Sequence, residues 1–282
     1  MRIHPDGTVD IIEGGIVIDL SHTNDFYKRL PVKFGYVQDA ISLWHLPNLT
    51  TLEGCPNSCE DFRLNTCIFL KSLVGGPKFV HGKYAISGTH ITSLEGAPDT
   101  VGGTFDIEDC VLLTSLEGSP RHVGSIDISK TTIKDLKGGP EIVDDVFRAS
   151  LSRLTSLEGL PKKMRCLTFH PFRSHKGLIY DPRPLKGCQI EDMNCRDQPF
   201  LELIHLFNPY DSDFNHNPFE RKAEILKRFI DSLDYNYIRE LDGEIVINLF
   251  RLKEALDEFD IENPLGELTT LEFYDFVDDG VS

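Results

Sequence analysis

Val101-Gly102-Gly103-Thr104-Phe105-Asp106-Ile107-Glu108-Asp109-Cys110-Val111-Leu112-Leu113-Thr114-Ser115-Leu116-Glu117-Gly118-Ser119-Pro120 is one copy of a recurring phrase, and its closing Leu-Glu-Gly-x-Pro element decides the fold. The same element stands at Leu52-Glu53-Gly54-Cys55-Pro56, Leu73-Val74-Gly75-Gly76-Pro77, Leu94-Glu95-Gly96-Ala97-Pro98, Leu136-Lys137-Gly138-Gly139-Pro140 and Leu157-Glu158-Gly159-Leu160-Pro161. With the quoted copy included, successive prolines are 21, 21, 22, 20 and 21 residues apart. A fixed period of this length marks an array of stacked units.

Inside the quoted copy the apolar positions are Val101, Phe105, Ile107, Cys110, Leu113 and Leu116, at offsets 0, 4, 6, 9, 12 and 15. Val37, Ile41, Leu43, Leu46, Leu49 and Leu52 obey the same offsets and expose an earlier copy. The Phe-x-Ile step has the period of a strand, and the steps of three mark a turning return path. One such coil cannot bury its own apolar side, so neighbouring coils must stack with parallel strands around a continuous column. Gly tolerates positive φ at a corner, and Pro fixes φ and ends pairing. Thr23, Leu46, Cys67, Thr89, Cys110, Thr131 and Ser152 form a further column, mostly of small groups able to hydrogen-bond a turning backbone.

Phe-x-Ile-x-x-Cys-x-x-Leu-x-x-Leu resembles the leucine-rich repeat family, in the short helix-free form of bacterial effectors and of tailed-bacteriophage proteins with LTSLEG-type repeats. The resemblance covers roughly residues 16 to 170, and it departs from the family in lacking Asn from the small-residue column, which Leu46 and Ser152 interrupt. It implies a parallel β-solenoid that binds rather than catalyses. The bacteriophage-like phrasing implies a host-directed or defence-blocking factor. A parallel β-helix of another type is the competing architecture.

The ends of an array need caps. Thr8 to Ile12 and Ile16 to Leu20, joined by Glu13-Gly14-Gly15, read as a hairpin-like cover. After Phe169 the repeat decays, and helical spacing follows in Phe200 to Leu206, Phe219 to Leu233 and Ile245 to Phe259. The expected class is therefore α+β: an N-terminal β cap over 1–15, a solenoid over 16–188 and an acidic α-helical domain over 189–282. Residues 189–282 hold 23 acidic and 8 basic side chains, while 162–186 hold Lys162, Lys163, Arg165, Arg173, Lys176, Arg183 and Lys186 against Asp181 alone. Either the basic junction docks on the acidic helices, or those helices engage a basic partner or mimic a nucleic acid.

A formal net charge of −16 disfavours nucleic acid and anionic lipid as partners. No apolar run reaches membrane-spanning or signal-peptide length, and seven cysteines without paired spacing fit a reducing compartment, so a cytoplasmic protein is expected. Asp211 to Asn217 opens like a calcium loop, but His216 stands where Gly is required and Lys222 where Glu is required. Cys195-Arg196-Asp197 matches three residues of the Cys-x-Asp element of bacterial ubiquitin ligases. His170, His175, Cys188 and Cys195 fit no zinc-finger spacing. Gly75-Gly76 and Gly102-Gly103 repeat with the coil and read as corners rather than as a phosphate loop. No cofactor or metal is expected.

Residues flanking the inward strand positions should face outward. The middle column reads Asp19, Ser42, Arg63, Ala85, Asp106, Asp127, Arg148 and Thr168, beside Ser21, Trp44, Asn65, Ser87, Glu108, Ser129, Ser150 and His170. Trp and Arg are enriched at binding hot spots, which makes Trp44, Arg63, Asn65, Asp106, Glu108, Asp127 and Arg148 the candidate contacts for a protein partner. The expected function is a non-enzymatic protein-interaction scaffold. The alternatives are a cysteine-dependent ligase-like effector and nucleic-acid contact through 162–186.

Overall fold

The computed structural model describes residues 1–19, 27–169, 184 and 188–194, together with strands at 238–241, 244–248 and 276–277. In chain order the strands are β1 (Arg2–Ile3), β2 (Val9–Ile11), β3 (Ile16–Asp19), β4 (Phe34–Val37), β5 (Ala40–Trp44), β6 (Ser58–Cys59), β7 (Asp61–Asn65), β8 (Phe79–Val80) and β9 (Tyr84–Ala85). They continue as β10 (Thr100–Asp106), β11 (His122–Asp127), β12 (Ile142–Val143), β13 (Val146–Arg148), β14 (Lys163–Thr168), β15 (Gln189–Asn194), β16 (Ile238–Leu241), β17 (Glu244–Asn248) and β18 (Phe276–Val277).

Nine of them stack as the rungs of one sheet in the order β15, β14, β13, β11, β10, β9, β7, β5, β3. Every pairing along that path is parallel. The chain is thus a parallel β-solenoid. The step between facing residues is 20 to 22 from Ile41 through Phe62, Tyr84, Phe105, Ile126 and Phe147 to Leu167. It lengthens at both ends, to 25 from Ile16 to Ile41 and to 26 from Leu167 to Met193.

The interior matches the apolar offsets. The fourth-offset column, Ile41, Phe62, Tyr84, Phe105, Ile126, Phe147 and Leu167, is buried throughout, as are Leu43, Leu64, Ile86, Ile107, Ile128, Ala149 and Phe169 beside it. Phe62, Tyr84 and Phe105 stack face to face with centroids 5.1 and 5.7 Å apart, because the parallel ladder holds equivalent side chains one rung apart. The Tyr84 hydroxyl lies in this column with no hydrogen-bond partner among the described residues. A buried orphan hydroxyl costs about 1–3 kcal/mol of desolvation. Tyr84→Phe should therefore raise stability by about 1 kcal/mol, read as a higher midpoint in urea; a lower midpoint would mean that the hydroxyl is satisfied.

Two kinds of corner repeat. In the Leu-x-Gly element, Gly54, Gly75, Gly96, Gly118, Gly138 and Gly159 all have positive φ. The amide of the next residue donates back to the leucine carbonyl, as in Ala97 to Leu94 and Ser119 to Leu116. Positive φ at the third position is the mark of a type II turn, which is why the phrase keeps its glycine. The hydroxyl two residues before Glu closes the turn from the other side: Ser93, Ser115 and Ser156 accept from the amides of Glu95, Glu117 and Glu158 at 3.0, 3.1 and 3.1 Å. The second corner follows the strand. His45, Thr66, Gly88, Asp109, Lys130 and Leu151 all have positive φ, each immediately before the small-residue column. That column then acts as expected: Thr89, Thr131 and Ser152 donate to the carbonyls of Ile86, Ile128 and Ala149 at 2.7–2.8 Å.

Several expectations are corrected. The Gly102-Gly103 corner does not interrupt the strand: both residues lie within β10, at the register irregularity between Val101 and Thr104, where a Cβ on Gly102 would overlap the His81 carbonyl oxygen. Close passage of successive coils is what demands glycine there. The two N-terminal strands do not form a hairpin with each other. β2 pairs antiparallel with β1 and parallel with β4, while β3 pairs parallel with β5. Residues 9–19 therefore already follow the path of a coil, and only β1 folds back on it. The first rung is also offset by two from the expected column, since Val17 faces Ser42 and Asp19 faces Trp44. The parallel ladder does not stop at 188, because Gln189–Asn194 is its ninth rung.

The α-helical domain is not borne out where it can be judged. Among the described residues there is no α-helix. At Ile245, where the third helix is expected, Glu244–Asn248 is a strand paired antiparallel with Ile238–Leu241 and parallel with Phe276–Val277. The β-branched run Ile245-Val246-Ile247 explains the difference. Leu241 faces Glu244, so Asp242-Gly243 alone separates the strands, and that dipeptide is a strong two-residue hairpin signal. The helices expected over 200–206 and 219–233, and the remainder of the third, lie outside the described residues.

Candidate functional site

Outward side chains of the nine-rung sheet form three columns. The register joins Val17, Ser42, Arg63, Ala85, Asp106, Asp127, Arg148 and Thr168 in the middle one. Asp19, Trp44 and Asn65 begin the column on its C-terminal side. Ala40 and Asp61, then Lys83, begin the column on its N-terminal side.

The charges on this face are paired with one another. Arg63 Nη2 lies 2.6 Å from Asp61 Oδ2, Lys83 Nζ 2.7 Å from Asp106 Oδ2, and Lys130 Nζ 2.6 Å from Glu108 Oε1. Arg148 Nη1 is 3.4 Å from Asp127 Oδ2, and a hydrogen bond of 3.2 Å joins the His45 ring at Nδ1 to Asp19 Oδ1. Most of these pairs cross from one rung to the next, where a 4.8 Å strand spacing lets a long cation reach a short carboxylate. The hydrogen bond from Lys130 to Glu108 pushes its ammonium pKa up.

Two of the candidate contacts are consequently not available to a partner. Asp106 and Asp127 are each only 8% exposed. Beyond its cation, each carboxylate accepts the amide two residues on, from Glu108 at 3.1 Å and from Ser129 at 2.9 Å. Their role is to join rungs and close the strand end. Glu108 and Arg148 are more open but engaged.

Trp44 differs from all of these. It is 41% exposed and faces Asn65 across the ladder, with Arg63 diagonal to it. It does not pack beneath the N-terminal strands. Val17, on the next rung, is 61% exposed and diagonal to Trp44 on the same face. The seven candidates thus divide. Trp44, Arg63 and Asn65 come together on the second and third rungs, and Asp106, Glu108, Asp127 and Arg148 lie on the fifth to seventh, with Ala85 and Ser87 between. Val17 is the residue that sequence spacing missed, because the first step is four residues longer than its neighbour.

Five of the six described thiols are held toward the protonated form. Burial pushes Cys59 and Cys67 up to about 12 and about 11, and it raises Cys55, Cys110 and Cys188 as well. A thiolate, not a thiol, is the nucleophile. Cys188 donates to the Pro184 carbonyl at 3.1 Å. Cys195, His170, His175 and the segment 211–222 lie outside the described residues, as does most of 162–186, although Arg165 within it is held by Asp145. Among the described residues no group of His, Cys, Asp and Glu could hold a metal ion, and no helix is long and apolar enough to cross a membrane.

Comparison with protein families, with characterised proteins and with solved structures finds no match for this chain.

Proposed function

We propose that the protein is a non-enzymatic scaffold of leucine-rich-repeat type that binds a protein partner on the N-terminal third of its strand face, centred on Trp44. The observation that supports this is a contrast within one surface. Charges elsewhere on the face are compensated by neighbours, while Trp44 and Val17 present adjoining apolar area framed by Asn65, Ser42 and the Arg63–Asp61 pair. An apolar anchor with a polar rim is the anatomy of a binding hot spot. The tailed-phage character of the repeat phrase favours a host-directed or defence-blocking role in a bacterial cytoplasm, an analogy of sequence style.

The test is affinity capture from the native cytoplasm with wild type, Trp44→Ala and, as a control on another edge, Glu117→Ala. Loss of a hot-spot side chain is worth about 2 kcal/mol or more, so Trp44→Ala should weaken the captured partner by about 30-fold while Glu117→Ala retains it. Since the flanking charges are already paired, added salt should change the affinity little. Equal recovery by all three proteins would move the site off this face. A steep loss with salt would instead favour nucleic-acid contact through 162–186.

A further inference from the structure

We propose that two copies of this chain associate side by side and antiparallel, with ridges of each entering notches of the other along the corner that follows the strand face. The inference rests on the fold and not on the partner site proposed above.

The coils, numbered by their rungs, are not of one length at this corner. Between the small-residue column and the next buried Leu or Ile, the second, third and fifth coils carry two residues: Pro47-Asn48, Ile68-Phe69 and Val111-Leu112. The fourth, sixth and seventh carry one: His90, Thr132 and Arg153. The two-residue inserts are tight turns, in which the amides of Leu49, Leu70 and Leu113 donate to the carbonyls of Leu46, Cys67 and Cys110 at 3.0–3.2 Å. The column residue tracks the path. Where it is Thr89, Thr131 or Ser152, its hydroxyl takes the carbonyl three residues back and the chain runs straight on. Where it is Leu46, Cys67 or Cys110 there is no hydroxyl, and the backbone closes a turn of its own. Each turn stands out as a ridge, and on the third and fifth coils the ridge is apolar. Phe69 is 53% exposed, Val111 and Leu112 are exposed two rungs on, and half-buried His90 lies between them. At about 4.8 Å per rung these ridges stand about 10 Å apart, with a notch one coil wide between them. Exposed apolar side chains gathered in this way mark an interaction surface.

The order of the coils selects the occupant. From the second to the seventh it runs long, long, short, long, short, short. Read backwards, that order is its own complement at every place. A second copy laid antiparallel, its seventh coil against the second coil of the first, therefore sets every ridge opposite a notch. Phe69 lies over Thr132, Leu112 over His90 and Pro47-Asn48 over Arg153, each contact made twice about one two-fold axis, and the assembly closes at two copies. A slip of one coil destroys the match, because Phe69 then meets Leu112 in one direction and Leu112 meets its own symmetry mate in the other. Parallel alignment sets like on like. The flanking columns agree with the register: Thr66 faces Lys130, Gly88 faces Asp109 and Thr92 faces Thr114. Lys71 and Lys134 are the one like-charged pair, both exposed at the rim, where water and salt screen them. Six coils give a narrow strip about 29 Å long, a contact of the reversible class rather than the obligate one.

A pair of cysteines reads the register. Asn48 and Arg153 are five rungs, about 24 Å, apart in one chain, but face each other between copies. With a short thiol-to-thiol cross-linker, Asn48→Cys/Arg153→Cys should run as a covalent dimer on a denaturing gel. Each single variant, whose two copies of the new thiol lie about 24 Å apart in the dimer, should link no more than wild type. Sedimentation of the unmodified chain should rise from 31.9 kDa toward twice that mass as concentration increases. Phe69→Lys/Leu112→Lys changes two exposed turn residues and should stay at the single-chain mass with an unchanged melting curve. Phe79→Lys, exposed on the side sheet instead, should associate as wild type does. A wild type that remains at 31.9 kDa up to its solubility limit overturns the proposal. So does a dimer that survives Phe69→Lys/Leu112→Lys, or a double-cysteine variant that links no better than either single one.

Discussion

Phe105→Ala is expected to destabilise the protein by about 3–5 kcal/mol. Phe105 is fully buried in the fifth of nine rungs, stacked on Tyr84, which is stacked in turn on Phe62. Truncation loses the transfer free energy of a benzyl group, and the usual relief, collapse of the surroundings into the cavity, is obstructed. The parallel ladders from Phe105 to Tyr84 on one side and to Ile126 on the other hold the flanking rungs at hydrogen-bonding distance. In a quasi-one-dimensional array each coil touches only its neighbours, so weakening a middle rung weakens both interfaces that connect the two halves. Urea denaturation followed by circular dichroism reads the loss. Leu112→Ala, one corner away in the same coil but 45% exposed, should stay close to wild type. If Phe105→Ala fell within about 1 kcal/mol of wild type, the column would have to be plastic and the tight rung packing described above would be wrong.

That column is legible in the sequence because the interior repeats chemically as well as geometrically. From Ile41 to Leu167 the offsets placed every inward residue correctly, and they did so because each coil there closes with the same glycine turn and buried proline. Legibility failed where a coil lacks that element. The first rung is displaced by two residues since nothing like Leu-x-Gly-x-Pro precedes Val37 to set the phase. The ninth rung, Gln189–Asn194, was invisible because 26 residues and no signature separate Met193 from Leu167. The strand-end corner escaped for another reason. It is held in the left-handed region by five residues of five different types, among them Leu151, so no residue type announces it. For the binding face, spacing gave the columns but not the exposure. Asp106 and Asp127 look like surface acids until Lys83 and Arg148 are seen to fold over them, and Lys83 stands two residues before Ala85, on the N-terminal flank that the two columns read from the sequence leave out. The hairpin at 238–248 does carry a signal in the sequence, Asp242-Gly243 set between apolar, β-branched segments.

The two corners also make a sharp pair of expectations for glycine replacement, and the second large effect lies there. Gly96→Ala should cost about 3 kcal/mol or more, whereas Gly88→Asn should be neutral or slightly stabilising. Both glycines have positive φ, +88° and +66°. Conformation alone therefore predicts similar penalties, about 1–2 kcal/mol for an ordinary L-residue. The surroundings separate them. A Cβ on Gly96 would stand 2.4 Å from the Val74 amide nitrogen and 2.5 Å from the Leu73 carbonyl carbon, backbone atoms of the coil below that cannot rotate away. Relief would require the Leu94 to Pro98 turn to lift off its neighbour, which would stretch the 2.9 Å bond from the Leu73 amide to the Glu95 carbonyl. At Gly88 nothing lies within 4 Å of the same added atom. The equivalent corners are already occupied by His45, Thr66, Asp109, Lys130 and Leu151 with φ of 53–59°. Asn is one of the few residues at ease in that region, and replacing Gly removes conformational freedom from the unfolded chain without touching the amide of residue 88, which donates to the Glu108 carbonyl at 2.9 Å. Midpoints of urea unfolding for the two variants should therefore fall on opposite sides of a wide gap. If they moved together, the glycine of the repeated phrase would be kept for its φ alone, and close stacking of successive turns would not be what preserves it.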